Sequence, residues 1–200
     1  MIITISGTPG SGKSTIAGIL AEKLSAERIY VGGIRRELAR KKGMTLEELN
    51  EYAKTHAETD VEVDRKAAAR AKWLEKSTKT VIVEGRTQFY FLPESIKLYI
   101  KVDPEEGARR IWKDLQNKQT QAERNEGNIA SFKEMKKKIY QREKEDAARY
   151  KKYYGFDQRD EAQYDFVLDT TKITAEKAAE MVIKFIKQGR KEKRGKEIRK

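Results

Sequence analysis

Residues Gly7 to Ser14 read GTPGSGKS, which fits the pattern G-x-x-x-x-G-K-[ST]. Backbone N–H groups can close around phosphate oxygens only where side chains do not intervene, and glycines at positions 7, 10 and 12 meet that condition. In such a loop Lys13 reaches the outer phosphates of a nucleoside triphosphate. Ser14 offers its hydroxyl to Mg²⁺, and the helix that follows points its positive end at the anion. Thr8, Pro9 and Ser11 complete the cradle. The guanine-recognition element N-K-x-D is not present, because Asn117 and Lys118 are followed by Gln119 and Thr120, and no D-x-x-G switch occurs. A regulatory GTPase is therefore disfavoured.

A second anionic substrate would make heavy demands on the rest of the chain. Two unit negative charges about 4 Å apart repel by roughly 4 kcal/mol at an effective dielectric near 20. One lysine and one Mg²⁺ leave much of that uncancelled, so phosphate transfer to a phosphate acceptor requires further cations, preferably arginines with their planar forks. Phe132, Met135, Ile139, Arg142, Asp146, Arg149 and Tyr153 follow 3,4 spacing and form one helical stripe that begins apolar and turns charged. Arg142 and Arg149 are expected to face the cleft, with Asp146 orienting Arg142 from one turn away.

Asp60 and Asp64 share an otherwise apolar stripe with Ala57, Ala67, Ala71 and Leu74. They could accept hydrogen bonds from a base or sugar, hold arginines in place, or form an exposed acidic pair. Arg86 lies just past the strand TVIVEG, where open α/β sheets place their ligands, and Glu84 at that strand's end could orient Mg²⁺-bound water. Arg36, shortly after Gly32 and Gly33, is a candidate for gripping the acceptor. His56, the single histidine, is read as a helix-end or solvent-facing residue, since phosphoryl transfer needs no general-base histidine.

The elements that must position these residues can be read from periodicity. Ile2 to Ser6 is a short β-branched run, and Ile16, Ile19, Leu20 and Leu24 then fall at helical spacing. Further strands are predicted at Arg28–Val31, ended by the glycine pair, at Thr80–Gly85, at Lys97–Val102 and at Asp165–Thr171. Helices are predicted at Ile34–Lys42, at Thr45–Lys54 behind a Thr45/Glu48 capping box, and at Glu58–Lys76. Others follow at Pro104–Leu115, behind the N-cap Asp103, and at Phe132–Tyr154 and Thr174–Lys187. Gln116–Ser131 reads as a mobile loop or short helical flap. Alternating strands and helices imply an α/β fold: an open parallel sheet of about five strands covered on both faces.

The 200 residues suit one compact domain over 1–188, and 44 Lys and Arg against 32 Asp and Glu give a charge of +12, which points to anionic partners. The last stretch, residues 189–200, is read as a disordered basic tail able to make nonspecific nucleic-acid contacts. The absence of cysteine excludes disulfides and thiolate chemistry and fits a reducing compartment. No signal peptide and no long uncharged apolar run is visible, so the expectation is a cytoplasmic monomer without membrane contact.

Taken in order, ITISGTPGSGKST, GGIRRELARKKGMTLEELNEYA, VEVDRK, VIVEGRTQFYFLPES, ARRI, QREKEDAARYKKYYGFD and YDFVLDTT cover most of residues 1–185, and together they resemble the cytidylate kinase family, notably its compact archaeal-type branch. The resemblance implies a P-loop kinase transferring the terminal phosphoryl group of ATP to CMP or dCMP. It implies that Gly10 to Thr15, including Lys13, hold the ATP phosphates, and that Ser14 serves Mg²⁺. Arg36 and Arg86 would take the monophosphate, Asp64 would recognise the acceptor, and Arg142 and Arg149 would stabilise charge near a flap. Residues 34–76 would form the monophosphate-binding segment and 117–131 the lid. Two positions depart from the family pattern: Gly33 stands where an acidic residue is common, and Asp114 and Leu115 replace a basic start to the lid. Two rival readings are a kinase for another monophosphate, such as UMP or AMP, and an RNA-associated P-loop ATPase.

Overall fold

The computed structural model describes residues 1–77, 80–125 and 129–197, with side chains described as far as residue 189. Its strands are β1 (Ile2–Gly7), β2 (Glu27–Tyr30), β3 (Val81–Glu84), β4 (Ile96–Lys101) and β5 (Phe166–Asp169). Its helices are α1 (Lys13–Lys23), α2 (Val31–Lys41), α3 (Leu46–Tyr52), α4 (Glu58–Ser77), α5 (Gln88–Phe91), α6 (Pro104–Leu115), α7 (Lys118–Arg124), α8 (Phe132–Tyr154) and α9 (Ala175–Glu197). The strands form one parallel sheet in the order β2-β3-β1-β4-β5, with Ile5 opposite Glu84 on one side and Leu98 on the other. From β1 the chain crosses to β2 on one side of the sheet, and from β3 it crosses past β1 to β4 on the other, so the carboxyl ends of the adjacent strands β1 and β3 form a switch point in strand order, where open α/β sheets hold ligands.

The alternation of side chains along the strands divides the core between two faces. Ile3, Ile5, Ile82, Leu98 and Ile100 pack with Ile16 and Leu20 of α1 and Ala178, Ala179, Val182 and Ile186 of α9. On the opposite face Ile2, Ile29, Val81 and Val83 meet Ala67, Ala68 and Ala71 of α4. All four residues of β3 are buried, consistent with a parallel strand covered on both sides. A smaller cluster, Ala108, Ile111, Leu115, Met135 and Ile139, fastens α8 to α6. It is the apolar start of the α8 stripe, and it fixes the rotation of the charged residues that follow.

The capping signals fall where the sequence places them. Thr45 and Glu48 bond reciprocally in a capping box, and Asp103 accepts from the backbone N–H groups of Glu105 and Glu106 with Pro104 behind it. Two boundaries differ from expectation. Gly32 and Gly33 do not end a strand but lie in the first turn of α2, where an added Cβ would stand 2.8 and 2.7 Å from the Tyr30 ring, so they are small to admit that ring. Of the two forms read for 116–131, the short helical one is present as α7, capped by Asn117; residues 126–128 of the predicted lid lie outside the described residues. The last helix is longer than read, α9 running past Lys187 to Glu197 and into the stretch read as a tail. Its Lys, Arg and Glu are good helix formers, and extending an existing helix requires no new nucleation.

Gly107 brings α6 against the phosphate loop, since a Cβ there would lie 2.7 Å from the Pro9 carbonyl oxygen and 3.0 Å from Val102 Cγ1. Gly107→Ala is expected to lower unfolding free energy by roughly 1–3 kcal/mol through overpacking, measured by urea denaturation. An unchanged midpoint would show that the loop and helix can separate freely.

Candidate active site

A cleft of about 990 Å³ opens over the carboxyl ends of the central strands and receives residues from the phosphate loop, α2, α3, α4, the β3–α5 turn, α6, α7 and α8. Ten Lys and Arg side chains line it against six Asp and Glu, so the cleft is cationic even with every internal pair counted. That balance suits more than one phosphate group.

Gly10 and Gly12 take left-handed backbone angles, φ 73° and 80°, which glycine adopts without strain. Among the described residues, the backbone N–H groups of Gly10, Gly12, Lys13, Ser14 and Thr15 have no acceptor. Five unspent donors at the start of α1 make the loop an anion cradle, and this observation is what fits a polyphosphate to it. Gly7, Thr8 and Ser11 are not on the cleft wall. They support the loop from behind: a Cβ on Gly7 would collide with the Ile100 carbonyl, and Thr8 Oγ1 accepts from Val102 N at 3.2 Å. Ser11 O accepts from the Thr170 hydroxyl at 2.9 Å. Pro9, Gly10, Gly12, Lys13, Ser14 and Thr15 face the cleft.

Lys13 Nζ donates back to Thr8 O at 2.6 Å. Burial, and then the nearby Arg86 guanidinium, lower its pKa to about 7. Ser14 Oγ donates to Glu84 Oε1 at 2.5 Å, while Arg28 holds Glu84 Oε2 at 2.6 Å. Among the described residues no group of three His, Cys, Asp or Glu could hold a metal ion by itself. Ser14 and Glu84 together suit a Mg²⁺ ion that takes its remaining ligands from phosphates and water.

At the other end of the cleft the charged residues form a continuous row. Arg35, on α2, donates to Asn50 Oδ1 at 2.9 Å and pairs with Asp60 of α4. The second Asp60 oxygen takes Arg149 Nε at 2.6 Å, and Arg149 also bonds Asp146 Oδ1 at 2.6 Å. Asp146 in turn pairs with Arg86, with Arg142 Nε 3.8 Å away. Arg86 and Arg142 line the cleft as the sequence predicts. Arg149 does not: it is 4% exposed and wedged between two carboxylates. Its two carboxylate pairs hold it behind the cleft wall, where it is placed to position Asp60 and Asp146. Asp146 is likewise occupied by arginines, and its closest one is Arg86 rather than the expected Arg142.

Two further expectations change. Asp64 lines the cleft, but its oxygens already accept from Gln88 Nε2 at 2.9 Å and from Tyr154 Oη at 2.7 Å, so its free capacity for an acceptor is limited. Burial raises its pKa, against the lowering effect of the Tyr154 and Thr87 bonds. Arg36 reaches the cleft wall, yet Nε donates to Arg124 O at 2.8 Å and Nη1 to Tyr30 Oη at 2.7 Å. Arg40 donates to the carbonyls of Ala122 and Glu123, so two arginines of α2 sit on the negative end of α7. Arg124 itself is held by Asp114 at 2.5 Å, which gives the unexpected aspartate a partner. His56 stacks on Tyr52 outside the cleft, with ring centroids 3.6 Å apart. Phe89 and Tyr90 pack against Phe156 and do not line the cleft.

Sequence reasoning missed Arg28, Arg35, Asn50 and Tyr150. For Arg35 a signal was available, because it is one residue from Arg36 and lies on the buried face of α2 with Val31 and Ala39.

With this geometry in view, comparison with known proteins is informative. A family model described as an AAA domain matches residues 3–131. A cytidylate kinase of Archaeoglobus fulgidus is 36% identical over 187 residues, covering 93% of this chain and 94% of that protein. The chain belongs to the cytidylate kinase family. Other members that align with it include the cytidylate kinases of Methanocaldococcus jannaschii, 36% identical over 86% of this chain and 89% of its own length, and Methanopyrus kandleri, 34% identical over 86% of each. The fold is shared more widely. A shikimate kinase from Bacteroides thetaiotaomicron superposes with a TM-score of 0.59 at 16% identity, covering 94% of this chain and 98% of that one. An uncharacterised protein from Eubacterium ventriosum reaches 0.64 at 19%, over 94% and 98%. For this cytidylate kinase family member the cationic cleft and the phosphate loop are thus parts of a kinase fold.

Two outcomes follow from the charges. Arg149→Ala should cost about 3–5 kcal/mol of stability, because it removes the cation shared by two buried carboxylates and leaves one oxygen of each unpaired while Arg35 and Arg86 still hold the other; equilibrium unfolding that moves by less than 1 kcal/mol would contradict the pairing. Binding a polyphosphate should raise the depressed pKa of Lys13, so that near pH 8 the lysine takes up a proton. Calorimetry of ATP binding in buffers of different ionisation enthalpy should therefore show net proton uptake, and heats independent of buffer would refute it.

Proposed function

We propose that this chain is an ATP-dependent nucleoside monophosphate kinase that phosphorylates CMP or dCMP with Mg²⁺ as cofactor. The observation that carries the reading is a cleft with an anion cradle at one end and a fixed arginine group, Arg86 and Arg142 beside Asp146, lining the same space. A kinase with an uncharged acceptor would not need cations at both ends. The family relationship gives the acceptor: its members carry the name cytidylate kinase.

In this reading the loop N–H groups and Lys13 hold the donor phosphates, and the acceptor phosphate lies beside Arg86 and Arg142. Magnesium, held by Ser14 and with Glu84 close by, would neutralise phosphate charge. The protein performs little covalent chemistry. A phosphate oxygen of the acceptor attacks the terminal phosphorus of ATP, the bond to the bridging oxygen breaks, and ADP leaves with that electron pair. Arg86 has its pKa lowered to about 10 by burial and by Arg142, yet stays charged at neutral pH. It can therefore cancel charge at the transferring group throughout the reaction. Lid residues 117–131 would limit water access to the phosphates. No described helix is long and apolar enough to cross a membrane, and a cytoplasmic site of action fits the small diffusible substrates. An RNA-associated ATPase is the weaker reading, since its only support is the overall positive charge.

The decisive test is a panel of monophosphates with ATP and Mg²⁺. Highest kcat/KM is expected for CMP or dCMP, and equal or better turnover of AMP or UMP would overturn the acceptor assignment. Arg86→Ala should reduce kcat/KM for the acceptor by on the order of 10³-fold or more. Near-normal activity in that variant would remove Arg86 from the site.

A further inference from the structure

Tyr150 follows Arg149 on α8 and lies one turn beyond Asp146, which directs its side chain to the inner end of the cleft. Its ring is buried, packed beneath the Arg149 guanidinium at 5.1 Å and beside Tyr154 with ring centroids 6.0 Å apart. The neighbouring phenols are all committed to the fold: Tyr153 Oη donates to Ala53 O, Tyr154 Oη to Asp64 and Tyr164 Oη to Gln158 O, each at 2.6–2.7 Å. Tyr150 Oη has no hydrogen-bond partner among the described residues, and it is not sealed off, because the residue forms part of the cleft wall. A phenol in the interior normally finds a partner. Here the partner must come from what enters the cleft.

Charge indicates what that partner is. Burial alone would raise the Tyr150 pKa, but the guanidinium groups of Arg149, Arg86 and Arg35 bring it below the usual phenol value. A phenol polarised in this way is a strong donor, and its natural acceptor is an anionic oxygen. Arg149 and Arg35 are themselves locked to Asp60, so of these three arginines only Arg86 faces the ligand space without a link to that carboxylate. The phenol and the Arg86 guanidinium line the same cleft and are close enough for the one to polarise the other.

We propose that Tyr150 is a substrate-binding residue of the acceptor subsite, its hydroxyl donating a hydrogen bond to a phosphate oxygen of the nucleoside monophosphate beside Arg86. The proposal rests on the acceptor phosphate lying next to Arg86, as inferred above. The hydroxyl adds a donor without adding a cation to a row already crowded with arginines. It distinguishes a phosphorylated acceptor from the free nucleoside and is indifferent to the base.

Tyr150→Phe keeps the ring and its packing and removes only the oxygen. In this variant KM for CMP should rise by roughly tenfold, the value of one hydrogen bond to a charged group, while KM for ATP stays within twofold. Calorimetric affinity for CMP should fall by a similar factor, and the weaker affinity for cytidine should not change. The melting temperature should remain near that of the parent chain. An unchanged KM for CMP would overturn the proposal, as would an equal loss for CMP and cytidine, which would place the hydroxyl on the nucleoside. Arg86→Ala separates the two levels of inference. If Arg86→Ala weakens CMP binding and Tyr150→Phe does not, Tyr150 alone is wrong; if neither does, the acceptor phosphate is not beside Arg86.

Discussion

The interior of this protein is organised by a row of alternating charges. It starts at Asn50 on α3 and passes through Arg35, Asp60, Arg149 and Asp146 to Arg86 after β3. Each member would be costly to bury by itself, because a charge removed from water loses several kcal/mol of solvation even after relaxation. Alternation gives Asp60, Arg149 and Asp146 an opposite charge on each side, and Arg35 ends the row on the amide oxygen of Asn50. Every member of the row except Arg149 borders the cleft, and Arg86 with the adjacent Arg142 is the part that acts on Lys13 of the phosphate loop. The row thus fixes cationic groups near the phosphate loop and links α2, α3, α4 and α8 to one another and to the turn after β3, in addition to the apolar packing of α4 on the sheet.

The same logic connects α7 to α2 across the mouth of the cleft. The carboxyl end of α7 exposes carbonyls that Arg36 and Arg40 of α2 satisfy, and Leu46 N donates to Asn125 O at 2.9 Å. These bonds join α7, in the segment proposed as the lid, to α2 and the start of α3, in the segment proposed to bind the monophosphate, which the sequence suggests are separate. Sequence distance conceals this, since Arg36 and Arg124 are 88 positions apart. Neither element rests on a large apolar interface there, so the contact is made of hydrogen bonds that water or substrate can replace.

How much of this was legible in the sequence depended on the range of the signal. The strands and the phosphate loop are local patterns, periodic apolar runs and glycines at fixed spacing, and they appear where read. The stripe of α8 was also legible, because Met135 and Ile139 fix its rotation against α6. What stripe geometry could not reveal is which side of a paired arginine faces substrate. Arg149 and Arg142 share one face, but Asp60 on another helix claims Arg149 and leaves Arg142 at the cleft. The glycine pair misled for a different reason. Gly32 and Gly33 are small because of the Tyr30 ring, a contact that composition does not disclose. The basic carboxyl-terminal stretch was judged on hydrophobicity, whereas its Lys, Arg and Glu content favours continuation of a helix already formed.

The contrast between Lys13 and Arg86 explains why the cleft is built from arginine. Both are depressed chiefly by burial and next by a neighbouring guanidinium, yet Lys13 falls to about 7 and Arg86 only to about 10. The difference originates in the side chains themselves, since guanidinium starts some two units above ammonium. A pocket that must hold several cations close together without an anion therefore keeps its charge only if most of them are arginine. Lysine at the loop suits the opposite requirement. It can give up part of its charge while the cradle stands free of phosphate and regain it as phosphate arrives, so the loop does not carry a full uncompensated cation between turnovers. The arginines, already matched to Asp146 and Asp60, need no such relief.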